Sequence, residues 1–168
     1  KVDCVRVWYG TSRALELADA QNTSDEQDVV AGLGVTGDAL KLGRADVWLP
    51  KLVSAGGTRE RGETPHVKGD VPDDPEVLAS NVFLTRVTTT GKETFATTLQ
   101  DAIDDDYSDS ALLFVHGFNV AFDAALIRAA QLSVDLKRDE YYDVGVPVLF
   151  SWPSAGQMSL SDYQGDRD

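Results

Sequence analysis

The chain has 168 residues, 42% of them hydrophobic and 26% charged, and its 28 acidic against 15 basic side chains leave a net charge of −13. That length and composition suit one globular domain able to bury about two-thirds of its unfolded surface. The acidity argues against a nucleic-acid-binding face, which must be basic, and disfavours anionic membrane surfaces; no apolar run approaches the ~18 residues of a spanning helix, and Cys4, the single cysteine, leaves no internal disulfide and no thiolate zinc site.

Val2 to Tyr9 is rich in β-branched and aromatic residues, with Val5, Val7 and Tyr9 on one face, and reads as a strand closed by Gly10. Cys4, inside it, reads as a small core residue. The next thirty residues are polar and punctuated by glycine without clean periodicity. Ala45 to Leu49 is a short strand stopped by Pro50, and residues 54–75 read as a long surface loop. Asn81 to Thr89 is a third strand. Thr90 and Glu93 have the spacing of a capping box, opening a helix whose Phe95, Leu99, Ala102 and Ile103 share one face. The acidic run from Asp104 to Asp109 lacks the turn glycine and the twelfth-position glutamate of a calcium loop, and reads as a solvated helix end. The acid excess as a whole reads as a solvated surface, with adaptation to high salt as a sharper alternative.

The second half is cleaner. Ala111 to Val115 is a continuous apolar run of strand length, of the kind found in the middle of a parallel sheet covered on both faces. A helical pattern follows from Ala121 to about Arg138, with Phe122, Leu126, Ala129, Ser133 and Leu136 in one stripe and Ala125, Ala130 and Leu132 beside it. Val146 to Phe150 is a further buried strand. Strand, helix, strand is a right-handed βαβ unit, so the fold class is α/β, and ligands in such sheets bind beyond the carboxyl ends of the strands. Those ends are His116 to Val120 and Ser151 to Gly156.

Four groups of residues invite a functional reading. Gly32-Leu33-Gly34-Val35-Thr36-Gly37 has the form of a dinucleotide fingerprint, but no helix of useful length follows it, so it reads as a glycine-rich connection. His116-Gly117-Phe118-Asn119, where a strand opens into a helix, is either an oxyanion loop, whose N–H groups hold the negative oxygen of a tetrahedral intermediate, or a plain βα turn with a structural histidine. No serine satisfies Gly-x-Ser-x-Gly: Ser54 and Ser154 match its second half only, with Leu52 and Trp152 in place of the first glycine. Both histidines, His66 and His116, precede any position where a nucleophile could stand, so neither can be the base in the order Ser, acid, His, and two distant histidines give no metal-ligand spacing. No cofactor or metal is expected.

Phe114-Val115-His116-Gly117-Phe118-Asn119-Val120, Phe122, Ala129-Ala130-Gln131-Leu132, Asp135-Leu136, Leu149-Phe150-Ser151-Trp152-Pro153-Ser154-Ala155-Gly156, Tyr163 and Asp166-Arg167 together resemble a bacterial family of uncharacterised α/β-hydrolases in the broad esterase/lipase-like superfamily. The resemblance is strong over residues 110–168. Upstream it is looser, in Val7 to Arg13 with its Thr-x-Arg ending and in Gly43-Arg44-Ala45 to Pro50. It implies an α/β-hydrolase fold with a mostly parallel sheet and flanking helices, and a Ser–acid–His triad acting on an ester, thioester or amide of a small or lipid-like acyl substrate. It assigns the oxyanion loop to Gly117, Phe118 and Asn119, and places His116, Trp152 and Ser154 against the substrate, the last two at the rim. The family's nucleophile elbow would follow a helix opening near Tyr163. The chain, which starts at Lys1 without a methionine and stops in mid-pattern, therefore reads as the N-terminal portion of one such domain: residues 1–90 strands and long loops, residues 91–168 helix, oxyanion strand and loop, helix and next strand. Expressed alone it should be poorly soluble, with an unfinished sheet edge, and should not react with a fluorophosphonate. A hydrolase-like fold kept as a non-catalytic binding or scaffolding module is the alternative. Substrate identity, oligomeric state and localisation are left open; no signal peptide is visible.

Overall fold

The structure, a computed structural model, describes residues 2–63, 66–68, 74–106, 108–137 and 143–154. In chain order the elements are β1 (Val2–Leu17), β2 (Gln27–Pro50), a 3-10 turn (Val53–Ala55), β3 (His66–Lys68), α1 (Pro75–Ser80), β4 (Asn81–Thr90), α2 (Lys92–Asp104), β5 (Ala111–Val115), α3 (Phe122–Leu136) and β6 (Val146–Ser151). The strands form one mixed sheet in the order β3-β4-β2-β1-β6-β5. Pairings β1–β6, β5–β6 and β3–β4 are parallel, while β1–β2 and β2–β4 are antiparallel.

Alternation along β1 works as the sequence implies on one face. Val7 and Tyr9 are fully buried, and Ala45, Val47 and Leu49 of β2 and Leu149 of β6 join them beneath α3. Cys4 falls on the opposite face and is exposed, so its reading as a core residue is corrected: a strand period of two sends it away from Val5 and Val7. Helix α2 lies on that second side, where Trp8 Nε1 donates to Thr98 Oγ1 at 3.4 Å. Its apolar stripe is only half-buried.

Several boundaries differ from the sequence reading. Most of the polar stretch after Gly10 is strand, with residues 18–26 connecting β1 to β2. β1 and β2 continue as a two-stranded arm out to Leu17 and Val29, with register shifts at Thr11/Arg13, Arg13/Leu15 and Glu16/Leu17. An arm paired mainly with itself has no continuous buried face, so it carries no clean hydrophobic period. At its far end Gln27 and Asp28 pair with Thr89 and Thr88, residues that also pair with Gly43 and Arg44, so the arm folds back on β4. The capping box does not form: Thr90 is still paired with Leu42, and Gly91 takes the N-cap position without a side-chain hydrogen bond. Within residues 54–75, expected as surface loop, lie β3 and the buried Arg59.

Helix α3 covers the sheet with Phe122, Ala125, Leu126, Ile127, Ala129 and Ala130, but Leu136 is exposed, and Gln131 and Asp135 are buried instead. Strand β5 is an edge strand among the described residues, not a central one, with Leu113 62% and Val115 53% exposed. The expected helix end near Arg138 and the helix near Tyr163 lie outside the described residues.

Candidate functional site

Strands β1, β5 and β6 run in the same direction, so their carboxyl ends meet at one edge of the sheet. There Thr11 pairs with Ser151, and the turn of residues 116–121 leads from β5 into α3. His116 is buried, Gly117 is exposed and Phe118 is 41% exposed. The left-handed residue of the turn is Asn119, with φ 60°, rather than Gly117; asparagine is among the few residues that tolerate that region. A Cβ on Gly117 would meet nothing within 4 Å, so the missing side chain leaves that face of the turn open. The Asn119 Oδ1 is buried without a hydrogen-bond partner among the described residues.

Beneath the turn lies Arg13, 1% exposed, at the position where the arm leaves the sheet. Its guanidinium donates from Nε to Ser151 Oγ (2.9 Å), from Nη1 to the carbonyls of Ser154 (2.7 Å) and Leu33 (3.2 Å), and from Nη2 to the carbonyl of Val120 (2.7 Å). Nη2 also faces His116 Nε2 at 3.5 Å. One side chain thus joins the arm, the turn after β5 and the segment after β6. Burying a guanidinium is tolerable only when its donors are used in this way. The sequence shows Arg13 only as the end of a Thr-x-Arg string; the main-chain carbonyls of Leu33, Val120 and Ser154 that it meets leave no trace in a sequence.

The ring of His116 lies 5.3 Å from that of Trp152 and nearly parallel to it, at 14°. Trp152 Nε1 donates to the His116 carbonyl at 3.0 Å. Ser154 is 1% exposed, and its Oγ accepts the Val120 N–H at 3.1 Å. The residues expected at the site therefore do come together, but at two levels. Gly117 and Phe118 lie at the surface with Trp152 half-buried beside them, while His116 and Ser154 are beneath, holding the turn. Ala155, Gly156, Tyr163, Asp166 and Arg167, part of the resemblance, lie outside the described residues.

Other sequence candidates separate from this edge. The glycine-rich string is inside β2, where Gly32 pairs with Leu15 and Thr36 with Arg13, so it is neither the strand-to-helix turn that a pyrophosphate needs nor the connection expected from the sequence. A Cβ on Gly32 would lie 2.4 Å from the Phe122 ring, which gives that glycine a packing reason. His66 belongs to β3, at the opposite end of the sheet from β5. Among the described residues no cluster of three His, Cys, Asp or Glu side chains could hold a metal ion, and no helix is long and apolar enough to cross a membrane.

Residues 91–168 match a family described as alpha/beta hydrolase of unknown function (DUF900). The match covers α2, β5, the turn, α3 and β6, and the fold class is that of the α/β-hydrolases. No curated protein and no solved structure matches the chain.

Proposed function

We propose that the chain supplies the oxyanion side of a serine hydrolase acting on an acyl substrate, as the N-terminal portion of one α/β-hydrolase domain, with residues 1–90 as its scaffold and residues 91–168 carrying the site. In this reading a serine outside residues 1–168 attacks the acyl carbonyl, and a histidine, also outside, accepts its proton. The carbonyl π electrons move onto oxygen. The Phe118 N–H and the N–H following the serine hold that oxygen until the C=O bond re-forms and the leaving group departs with its pair. Gly117 keeps the approach open, Asn119 sets the turn, Trp152 walls the rim, and His116 and Ser154 support the turn from below. One such donor is worth about 2.7–4 kcal/mol of transition-state stabilisation.

The observation that carries this reading is the exposed Gly117-Phe118 turn at the carboxyl end of β5, braced by a buried side-chain network. The second reading is a non-catalytic binding or scaffolding module that keeps a hydrolase-like fold. Treating the native protein that contains this chain with a fluorophosphonate separates the two. A label on a serine outside residues 1–168 supports the hydrolase. No label supports the module, and a label on Ser154 overturns both.

A further inference from the structure

The segment that leaves β6 meets the turn of residues 116–121 at two backbone atoms. Trp152 Nε1 donates to the His116 carbonyl at 3.0 Å, at the start of the turn. The Val120 N–H donates to Ser154 Oγ at 3.1 Å, near its end. The Trp152 ring also stacks on the His116 ring, with centroids 5.3 Å apart and planes at 14°. Both side chains start from a fixed base. β6 is paired on both edges, with β1 and with β5, and the carbonyl of its last residue, Ser151, accepts from Thr11 Oγ1 at 2.6 Å. Pro153 then stands between the two gripping residues. Its ring fixes its own φ and keeps the residue before it out of the helical region, so the spacing of the two grips is restricted by covalent chemistry.

The turn needs such a hold. Asn119 inside it is left-handed, with φ 60°. A residue stays in a sparsely populated conformation when the surrounding structure over-determines it. The gripped atoms lie on either side of Gly117, Phe118 and Asn119, so a shift at either end redirects the peptide planes between them. We infer that Trp152 and Ser154 are a pair of positioning residues, a two-point clamp that sets the span of the turn and with it the aim of its peptides. This gives Trp152 a task beyond walling the rim. That the clamp serves an oxyanion rests on the hydrolase reading; the clamp itself does not.

The test is made on the native protein that contains this chain, with the folding of each variant checked by circular dichroism. Amide hydrogen exchange, read residue by residue over 116–121 by mass spectrometry, reports the clamp. Ser154→Ala removes the acceptor of the Val120 N–H and should speed its exchange by about fivefold, the measure of one ordinary hydrogen bond. Trp152→Phe keeps a ring but loses the hydrogen bond at the other end of the turn, and should speed Val120 exchange as well. A folded Trp152→Phe protein with unchanged Val120 exchange overturns the clamp. Should Trp152→Phe fail to fold, the reciprocal reading applies: Ser154→Ala should speed exchange of the Gly117 amide, whose peptide carries the carbonyl that Trp152 holds, and no change there overturns the clamp. Fluorophosphonate labelling separates the two readings. Where a serine outside residues 1–168 is labelled, each variant should slow that labelling by about tenfold or more, since a small misplacement far from the chemistry can cost up to about a hundredfold. The double variant should be slowed by less than the product of the two. Unchanged labelling rates in variants with faster exchange overturn the positioning role. No label on the wild-type protein refutes the hydrolase reading alone, and exchange still decides the clamp.

Discussion

Arg59 and Asp135 form a buried ion pair, Nη1 to Oδ1 at 2.7 Å, with side chains 1% and 9% exposed. The pair clamps the excursion after β2 onto the end of α3. Arg59 Nε also donates to the Pro50 carbonyl, and Asp135 Oδ2 accepts the Gly62 N–H at 2.8 Å and Gln131 Nε2 at 3.2 Å. Removing one partner strands the other charge in a dry place, which costs about 3–5 kcal/mol, whereas replacing both with apolar groups is often neutral or better. Asp135→Ala should therefore lower the urea midpoint strongly, and Arg59→Met with Asp135→Leu should recover most of the loss. Tyr9 offers a residue-scale test in pH. Burial pushes its phenol pKa well up, and its hydroxyl donates to the Thr88 carbonyl at 2.9 Å. A folded pKa above the unfolded one means that the contribution is fully present below the unfolded value of about 10 and is lost as pH rises through the folded value. Tyr9→Phe should cost about 1 kcal/mol at neutral pH and remove this group's share of the alkaline loss, read as unfolding free energy against pH.

At the scale of elements, strand spacing around β2 depends on glycine. A Cβ on Gly43 would stand 2.0 Å from the Thr88 carbonyl oxygen and 2.6 Å from the Tyr9 hydroxyl, so Gly43→Ala must push β4 and β1 away from β2. Overpacking of this kind typically costs about 1–3 kcal/mol, and each kcal/mol lowers Tm by about 2–4 °C in a chain of this size. Calorimetry should show a drop of several degrees, whereas Gly117→Ala, with open space at its Cβ, should leave Tm nearly unchanged. Elements with a strong period were legible: Val5, Val7 and Tyr9 announce β1, and Phe122, Leu126 and Ala129 announce α3. The arm was not, because Ala31 to Gly37 pair without burying a face, and Thr90 could not cap α2 while it remained in the sheet.

At the scale of the whole sheet, the described strands end on one side in β5. Its row of backbone groups is paired only with β6 among the described residues, and Leu113, Val115 and the neighbouring Phe150 are exposed. Unpaired apolar edges template association with other strands. The 168-residue chain should self-associate in sedimentation experiments, and Leu113→Lys with Val115→Lys should reduce this without a large loss of Tm, since both side chains are more than half exposed. A concentration-independent monomer would contradict the edge assignment. The same edge adjoins the proposed oxyanion turn, so solution behaviour and proposed function meet in one place.

Residue chemistry and periodicity alone determined the α/β class, the βαβ unit of the second half and the turn of residues 116–119 as the place to look. These are local properties: a hydrophobic period and a strand-to-helix junction are written within a few residues of each other. The tertiary structure alone decided that Cys4 faces outward, that a guanidinium 103 residues before His116 faces its ring, and that His116 and Ser154 are buried beneath the turn. Three main-chain carbonyls, of a kind every residue carries, accept from Arg13, and such acceptors become distinguishable only when the chain has folded around them.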